Sequence, residues 1–361
     1  MYIKHLIFLF LPLISYFSLA QIPALPFEPE HYICYQTQKP LLIDGILTDE
    51  EWDKVPWTKD FVDIEGELKP NPRFRTRVKM LWDDQYFYIA AELEEPHIWA
   101  TLKERDTVIF QDHDFEVFID PSGDTHNYYE FEVNALGTEW DLLLTKPYRD
   151  GGLAIYSWDI KGIKVGIDID GTLNDPSDKD NKWTIEIALP WAVLKECAPE
   201  RRKPEAGNQW RVNFSRVEWK TEINNGKYRK IINPVTGKSY PEDNWVWSPQ
   251  GIINMHYPET WGFVQFSGHK AGEGEEEFVF NENEKIKWAL RQIYYAQKQF
   301  FSKNNKFAEN LSELEYRKIT INNYHFSPIL KTTHNLYEVS CQSIDGLSTW
   351  FIRQDGFIWK K

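Results

Sequence analysis

Cysteine is scarce in this chain of 361 residues, which contains only Cys34, Cys197 and Cys341. No two of them stand in CxxC spacing, so the sequence argues against a thiolate zinc site. At most one disulfide can form, and at least one thiol is left over. Catalytic fingerprints are lacking as well, since there is no HExxH, GxSxG, phosphate-loop or dinucleotide motif. These absences favour a protein without chemistry of its own.

Positive charge is also in short supply, because the formal net charge is −14 at pH 7. That balance argues against nucleic acid and anionic membrane surfaces as partners. From Gly272 onward, acidic and basic residues are equal in number, so the whole acidic excess precedes this glycine.

Only the first 20 residues form a long apolar run. Lys4 precedes the run from Leu6 to Leu19, and Ser18-Leu19-Ala20 supplies the small residues of a cleavage site. This pattern predicts a secretory signal peptide over residues 1–20, cleaved after about Ala20. No cysteine follows, which argues against a bacterial lipoprotein. We therefore expect a secreted, periplasmic or cell-surface protein without a membrane span in the mature chain.

What the sequence has in abundance is aromatic residues, at 16% of the chain, and segments that alternate in polarity. The clearest example spans residues 112–141, where a Pro-Ser-Gly-Asp turn separates two predicted strands. Glu130 and Glu132 lie on the polar face of the second strand and indicate a polar ligand face or a calcium neighbour. A pair of glycosidase carboxylates is the catalytic alternative. The apolar face comprises Phe115, Val117, Ile119, Tyr129, Phe131 and Val133.

Further short strands separated by turn residues predict a mainly β fold, an antiparallel β-sandwich followed by a small α+β domain. Helical spacing from Ile286 to Phe301, after a Gly-bearing acidic stretch, marks the second domain. Two strands joined by a turn are expected within each of 78–91 and 115–134, and further strands at 141–144, 158–169, 183–189, 210–219 and 262–266. The predicted organisation is an irregular lead at 21–38, a sandwich at 39–267, a linker at 268–280 and an α+β domain at 281–361.

A set of motifs in the first domain resembles family 9 carbohydrate-binding modules. The resemblance covers roughly residues 39–267 and includes a branch found in secreted bacterial proteins. It implies a β-sandwich, structural calcium and non-catalytic binding of sugars. The motifs that recur in order are Ile43-Asp44-Gly45 with Glu51-Trp52, Leu81-Trp82-Asp83 with Tyr86, Glu116-Val117-Phe118-Ile119-Asp120, Trp183 with Glu186, Pro190-Trp191, and Trp210-Arg211-Val212-Asn213-Phe214.

The resemblance also implies site residues, since such sites hold a sugar ring between two aromatics and bond its hydroxyls with a carboxylate and amides. Carried over by position, these are Phe110, Glu116 and Asn134. Two positions depart from the pattern: Glu132 stands where a basic residue is expected, and no Trp stands near Met255-His256. Trp247 is the predicted substitute for the second aromatic, with Tyr257 and Trp261 as alternatives.

The loop after the predicted strand at 158–169 is rich in oxygen ligands. Asp168, Asp170 and Asp175 provide carboxylates suited to calcium, although Gly171 comes too early for an EF-hand. A solvated hairpin turn is the alternative. We expect structural Ca²⁺ at these three residues.

The sequence therefore predicts carbohydrate binding by the sandwich, in support of polysaccharide degradation, with an oligo- or polysaccharide as partner. Two alternatives stay open. One is a haem-binding, DOMON-like redox module, for which Met80, Met255, His126 and His256 are available ligands. The other is a structural or scaffold protein whose C-terminal domain, otherwise of unknown role, docks a protein partner.

Overall fold

The computed structural model describes residues 21–361, so the predicted signal peptide lies outside the described residues. Its helices are α1 (Glu50–Asp53), α2 (Trp191–Leu194) and α3 (Asn283–Asn304). Its strands are β1 (His31–Gln36), β2 (Val62–Asp63), β3 (Thr76–Trp82), β4 (Tyr86–Glu94), β5 (Asp114–Asp120), β6 (Tyr128–Asn134), β7 (Glu139–Leu144), β8 (Ala154–Ile155), β9 (Lys164–Asp170), β10 (Lys182–Pro190), β11 (Gln209–Glu218), β12 (Thr221–Asn224), β13 (Lys227–Lys230), β14 (Asp243–Val246), β15 (Gly262–Lys270), β16 (Ile329–Thr332), β17 (Tyr337–Gln342), β18 (Thr349–Arg353) and β19 (Ile358–Lys360).

The predicted hairpin at 112–141 is formed by β5 and β6, which pair antiparallel with Glu116 opposite Glu132. The turn between them is fixed by Asp120, whose carboxylate accepts hydrogen bonds from the backbone N–H groups of Gly123 and Thr125 at 2.9 and 2.8 Å. Gly123 has a φ of +62°, which glycine adopts without the steric cost of a side chain. Local turn chemistry thus sets the register of the central strands.

One large sheet folds over on itself to make the sandwich. Its strands lie in the order β8-β7-β6-β5-β11-β15-β1-β3-β4-β10-β9, with β14 attached to β11 and β2 to β14. The inner faces of β5, β6 and β11 pack against those of β3, β4 and β10 to form the main hydrophobic core. The predicted mainly β sandwich followed by a small α+β domain is confirmed.

The strand β1 makes the sheet mixed rather than purely antiparallel. It pairs in parallel with both β15 and β3. The hydrophobic pattern of a strand does not encode the direction of its neighbours, so sequence reasoning had no signal for this pairing. A second difference is that the strand predicted at 158–169 begins only at Lys164, since turn hydrogen bonds occupy residues 159–163.

The C-terminal part consists of α3 and a four-stranded antiparallel sheet in the order β16-β17-β18-β19. The helix packs its apolar face on this sheet, and Asn305 ends it in the left-handed conformation at φ +54°. The same cluster takes in Ile252 and Tyr257 of the sandwich and Phe27 of the N-terminal lead. Within residues 21–361, no helix combines the length and apolar composition needed to cross a bilayer.

The segment predicted as a linker, residues 268–280, lies along the sandwich. Its first residues continue β15 to Lys270. Glu276 then accepts a hydrogen bond from Gln265 Nε2 at 2.7 Å, and Phe278 stacks on His31 with 4.3 Å between ring centroids. These contacts hold the segment against the sandwich along much of its length.

Candidate functional site

The outer face of β5 and β6 carries four acidic side chains, because strand residues two apart project to the same side. Asp114 and Glu116 come from β5, and Glu130 and Glu132 come from β6. Each is at most 5% exposed. One carboxylate oxygen from each of Asp114, Glu116 and Glu132 lies within 4.8 Å of the other two. We call these four residues the acidic face.

The acidic face has no basic counterpart. Across residues 21–361, no lysine, arginine or histidine side chain forms an ion pair with these four carboxylates. Burial raises the pKa of Glu116 to about 7. Burial and then repulsion from Glu116 raise the pKa values of Asp114, Glu130 and Glu132 well above the usual range.

Several other buried acidic residues are paired with arginine. Arg216 contacts Glu95 at 2.6 Å and Glu218 at 3.1 Å, beside His113. Arg149 contacts Glu259 at 2.7 Å, and Arg211 contacts Glu284 at 2.8 Å, so each pair balances its charge. A further group, Asp106 with Asp141 and Asp159, of which only Asp141 is buried, is contacted by Arg105. The acidic face is therefore exceptional among these clusters.

Apolar residues surround the acidic face and exclude water from it. Phe118 comes from β5, Tyr128 from β6 and Trp140 from the neighbouring strand β7, while Met255 and Trp261 come from the segment that precedes β15. Phe110 packs at the edge of this cluster, and its backbone N–H donates a 2.9 Å hydrogen bond to Glu132 Oε2.

Two tyrosines stand exposed beside this cluster, Tyr148 at 44% and Tyr156 at 60%. Tyr156 stacks on Trp140 with 6.0 Å between ring centroids, and Trp140 lies opposite Glu132 in the sheet. The Trp140 indole N–H is buried and has no hydrogen-bond acceptor. The edge of one ring meets the face of the other where Tyr148 packs on His256, with 4.5 Å between ring centroids. We call Phe110, Tyr148 and Tyr156 the aromatic rim.

Sequence reasoning missed the two tyrosines of the rim. Tyr148 and Tyr156 lie in the irregular stretch between β7 and β9, where no alternation assigns a side chain to a face. The available signal was their position: large aromatics in a stretch rich in turn residues have no core to enter.

Of the sugar-binding residues predicted from the sequence, Phe110 and Glu116 both lie beside Glu132, Phe110 through its backbone N–H and Glu116 as the cross-strand neighbour. Glu116 is only 4% exposed. Asn134 is fully buried, and its side chain already bonds Leu102 O, Asp112 Oδ2 and the N–H groups of Leu136 and Thr138. No polar atom of Asn134 is left for a ligand.

Trp247 is placed elsewhere. It is 2% exposed in the main core, against Phe214 and the backbone of Gly262. The prediction of Trp247 as a stacking platform therefore needs correction, since neither of its faces is open to a ligand. The alternatives Tyr257 and Trp261 are buried as well.

The predicted calcium ligands are exposed and dispersed. Asp168 and Asp170 are exposed on the edge strand β9. Asp175 accepts a hydrogen bond from Ser177 N–H at 2.9 Å. Among the described residues, these three carboxylates do not form a converging group, whereas Asp114, Glu116 and Glu132 do. The converging oxygen donors among the described residues thus lie on strands rather than in the loop.

The four residues considered as haem ligands have other partners. Met80 is fully buried between the layers, and Met255 Sδ accepts a hydrogen bond from Gln250 Nε2 at 3.2 Å. His256 Nδ1 lies 2.9 Å from Tyr128 Oη, and His126 Nε2 lies 3.5 Å from Asp355 of the C-terminal part.

The fold is therefore a β-sandwich whose outer face carries buried polar groups and exposed aromatics. The family model described as "Carbohydrate family 9 binding domain-like" matches residues 43–240. That match covers more than half of the chain, so the protein belongs to this family of carbohydrate-binding domains. No curated protein matches the chain.

Solved structures similar to this chain include proteins from two bacteria. One is a protein from Bacteroides uniformis whose name proposes carbohydrate binding, with 14% identity over 66% of this chain and 100% of that chain, at a TM-score of 0.48. A family 9 carbohydrate-binding module from Caldicellulosiruptor kristjanssonii was solved with glucose and with cellotriose. The glucose complex gives 14% identity over 70% of this chain and 100% of that one, TM-score 0.42. The cellotriose complex gives 15% over 69% and 100%, TM-score 0.39.

Proposed function

We propose that the sandwich binds oligo- or polysaccharide without catalysis, and that the sugar rests on the aromatic rim. The proposal rests on Tyr148 and Tyr156, which are exposed beside Trp140. The Trp140 N–H is buried without a hydrogen-bond acceptor, and all three residues lie within the segment matched by the carbohydrate-binding family. Tyrosine rings offer flat apolar faces to the C–H groups of a sugar ring. The tyrosine hydroxyls supply hydrogen bonds to sugar hydroxyls.

We also propose that the protein works outside the cytoplasm, beside enzymes that degrade polysaccharide. The apolar run at residues 1–20 supports export, and the net charge of −14 suits a partner that carries no negative charge. Membership in a binding-domain family supports a role in holding substrate rather than cleaving it.

Calorimetric titration against plant and algal oligosaccharides tests the proposal. We expect dissociation constants in the micromolar to millimolar range, about −4 to −8 kcal/mol. Tyr156→Ala and Phe110→Ala should each weaken binding roughly tenfold, about 1.4 kcal/mol, because each removes a stacking face.

Trp359→Ala is the matched control, since this half-buried aromatic of β19 lies in the C-terminal sheet. It should bind like the unaltered protein. Equal affinity in all variants, or no binding to any saccharide by the folded protein, would reject the proposal.

A further inference from the structure

The segment that carries Tyr148 of the aromatic rim has little regular structure of its own. Between β7 and β9 it contains the short turn Tyr148–Asp150 and the two-residue strand β8. Yet the side chains of Arg149 and Asp150, directly after Tyr148, are only 2% and 0% exposed. A surface segment buries two charged side chains only where oppositely charged or hydrogen-bonding partners receive them. The position of Tyr148 therefore depends on what holds its two neighbours.

Helix α3 of the C-terminal part receives Asp150. The Tyr294 hydroxyl lies 2.7 and 2.8 Å from the two carboxylate oxygens of Asp150, and Lys298 Nζ lies 2.7 Å from Oδ1. Tyr294 and Lys298 are four residues apart, so they project from the same face of α3. Within residues 21–361, no residue outside α3 donates a hydrogen bond to this carboxylate. The helix thus supplies the partners that allow Asp150 to be buried.

Arg149 is held from two sides. Its Nε donates a 3.2 Å hydrogen bond to the Tyr294 hydroxyl, and its Nη2 contacts Glu259 at 2.7 Å. Its Nη1 donates a 2.7 Å hydrogen bond to the carbonyl of His256, the residue on whose ring Tyr148 packs. Arg149 therefore links α3 both to the backbone next to Tyr148 and to the support under the Tyr148 ring.

The charges of this contact balance only when α3 is included. Arg149, Asp150 and Glu259 belong to the sandwich and sum to one negative charge, which Lys298 of α3 neutralises. In a buried network of this kind, removing one partner leaves another charge or polar group unpaired. The four residues therefore act as one unit that spans the two parts of the molecule.

We propose that Tyr294 and Lys298 of α3 are positioning residues for saccharide binding. They fix Arg149 and Asp150, and this contact holds Tyr148 in the aromatic rim. The inference rests on the proposed function, since it assumes that the sugar stacks on Tyr148. A loop that is already ordered loses less conformational entropy when the sugar binds, so the anchoring raises affinity. The C-terminal part is then a component of the saccharide-binding unit.

Hydrogen–deuterium exchange of the full-length protein without saccharide tests the anchoring. Tyr294→Phe removes only a hydroxyl, and Lys298→Met removes the charge of a side chain near the surface. Each should speed exchange in residues 145–158, because this segment loses its partners, while residues 108–111 exchange as before. Unchanged exchange in residues 145–158 would overturn the proposal.

Calorimetric titration tests the effect on binding, with the plant or algal oligosaccharide that the unaltered protein binds most tightly. Well below the melting temperature, each variant should bind roughly three- to tenfold more weakly, because only part of the molecules then holds the competent loop. Lys298→Arg keeps the charge and should bind nearly as the unaltered protein does. A purely structural role would lower the melting temperature but leave the affinity of the folded protein unchanged, and this result would overturn the proposal.

A double variant tests whether the effect passes through Tyr148. Tyr148→Ala removes the stacking face, so adding Tyr294→Phe to it should weaken binding no further. Losses that simply add would overturn the proposal, because they would mean that the two side chains act independently.

Tyr337→Phe is the matched control, because it removes a buried phenol hydroxyl of β17 that has no hydrogen-bond partner within residues 21–361. It should leave exchange and affinity unchanged, and an effect as large as that of Tyr294→Phe would overturn the proposal.

The outcomes also separate this inference from the proposed function. If Tyr156→Ala weakens saccharide binding and Tyr294→Phe does not, the positioning role is wrong and the rim stands. If the folded, unaltered protein binds no saccharide, the proposed function and the positioning role are both rejected.

Discussion

At the scale of single residues, a Trp247 variant can distinguish a role in core packing from a role in ligand binding. Its indole fills the space between Phe214 and Gly262, where a Cβ atom on the glycine would come within 2.6 Å of the ring. Trp247→Ala should therefore lower the free energy of unfolding by about 3–5 kcal/mol, measured by denaturant titration. Affinity for saccharide per folded molecule should stay unchanged. If the variant instead kept its stability and lost saccharide binding, Trp247 would be a binding residue after all.

At the same scale, His256 makes the free energy of unfolding depend on pH. Burial and the charge of Arg149 lower the pKa of His256 to about 3, below its value of about 6.5 in an unfolded chain. Between these pH values the unfolded chain binds the additional proton, so stability is present above 6.5 and falls as the pH drops toward 3. The groups facing the ring are the phenols of Tyr128 and Tyr148, and Arg149 bonds the His256 carbonyl.

The measurement compares the unaltered protein with His256→Gln in denaturant titrations from pH 7 to pH 4.5. The unaltered protein should lose stability relative to the variant as the pH falls, because only it must protonate on unfolding. Parallel curves would mean that the imidazole is accessible to protons in the folded state.

At the scale of elements, the motifs of the first domain form a clamp around Glu186 of β10. Its carboxylate accepts hydrogen bonds from Trp52 Nε1 at 2.7 Å and from the N–H groups of Asp44 and Gly45 at 3.0 Å each. Gly45 has a φ of +89°, and a Cβ there would lie 2.4 Å from the backbone of Ile167, so the close approach requires glycine. These motif residues hold the fold rather than a sugar.

Glu186→Ala should lower the free energy of unfolding by about 3 kcal/mol, because it leaves three donors without an acceptor, two of them buried. Glu186→Gln should lose less, since its amide oxygen still accepts. Chemical denaturation measures both. Equal losses in the two variants would show that charge, not the acceptor geometry, supports the clamp.

The elements also show what the sequence could predict. The β5–β6 hairpin follows from alternation and a turn whose residues are adjacent in the chain, and α3 follows from apolar spacing and Asn305. The parallel pairing of β1, the burial of Trp247 and the missing counter-charge at Glu116 depend on residues far apart in the sequence. Local patterns place a side chain on a face, but they do not tell what covers that face.

At the scale of the whole molecule, the sandwich and the C-terminal part share a polar and apolar interface. Arg211 of β11 pairs with Glu284 of α3, and Tyr295 Oη donates a 2.6 Å hydrogen bond to Glu259, which also pairs with Arg149. Phe27 of the lead stacks on Trp288 at 4.8 Å. The domain boundary near residue 268 stays a prediction, but these contacts give the C-terminal part a role in bracing the sandwich.

The central claim is that saccharide binds at the aromatic rim, and hydrogen–deuterium exchange with and without saturating oligosaccharide tests it most directly. Bound sugar should slow exchange in residues 145–158 and 108–111, which carry the rim, because it orders these segments and covers their backbone. The C-terminal sheet should exchange as before. Protection confined to another surface, such as the groove lined by Tyr86, Trp191 and Arg202, would contradict the claim.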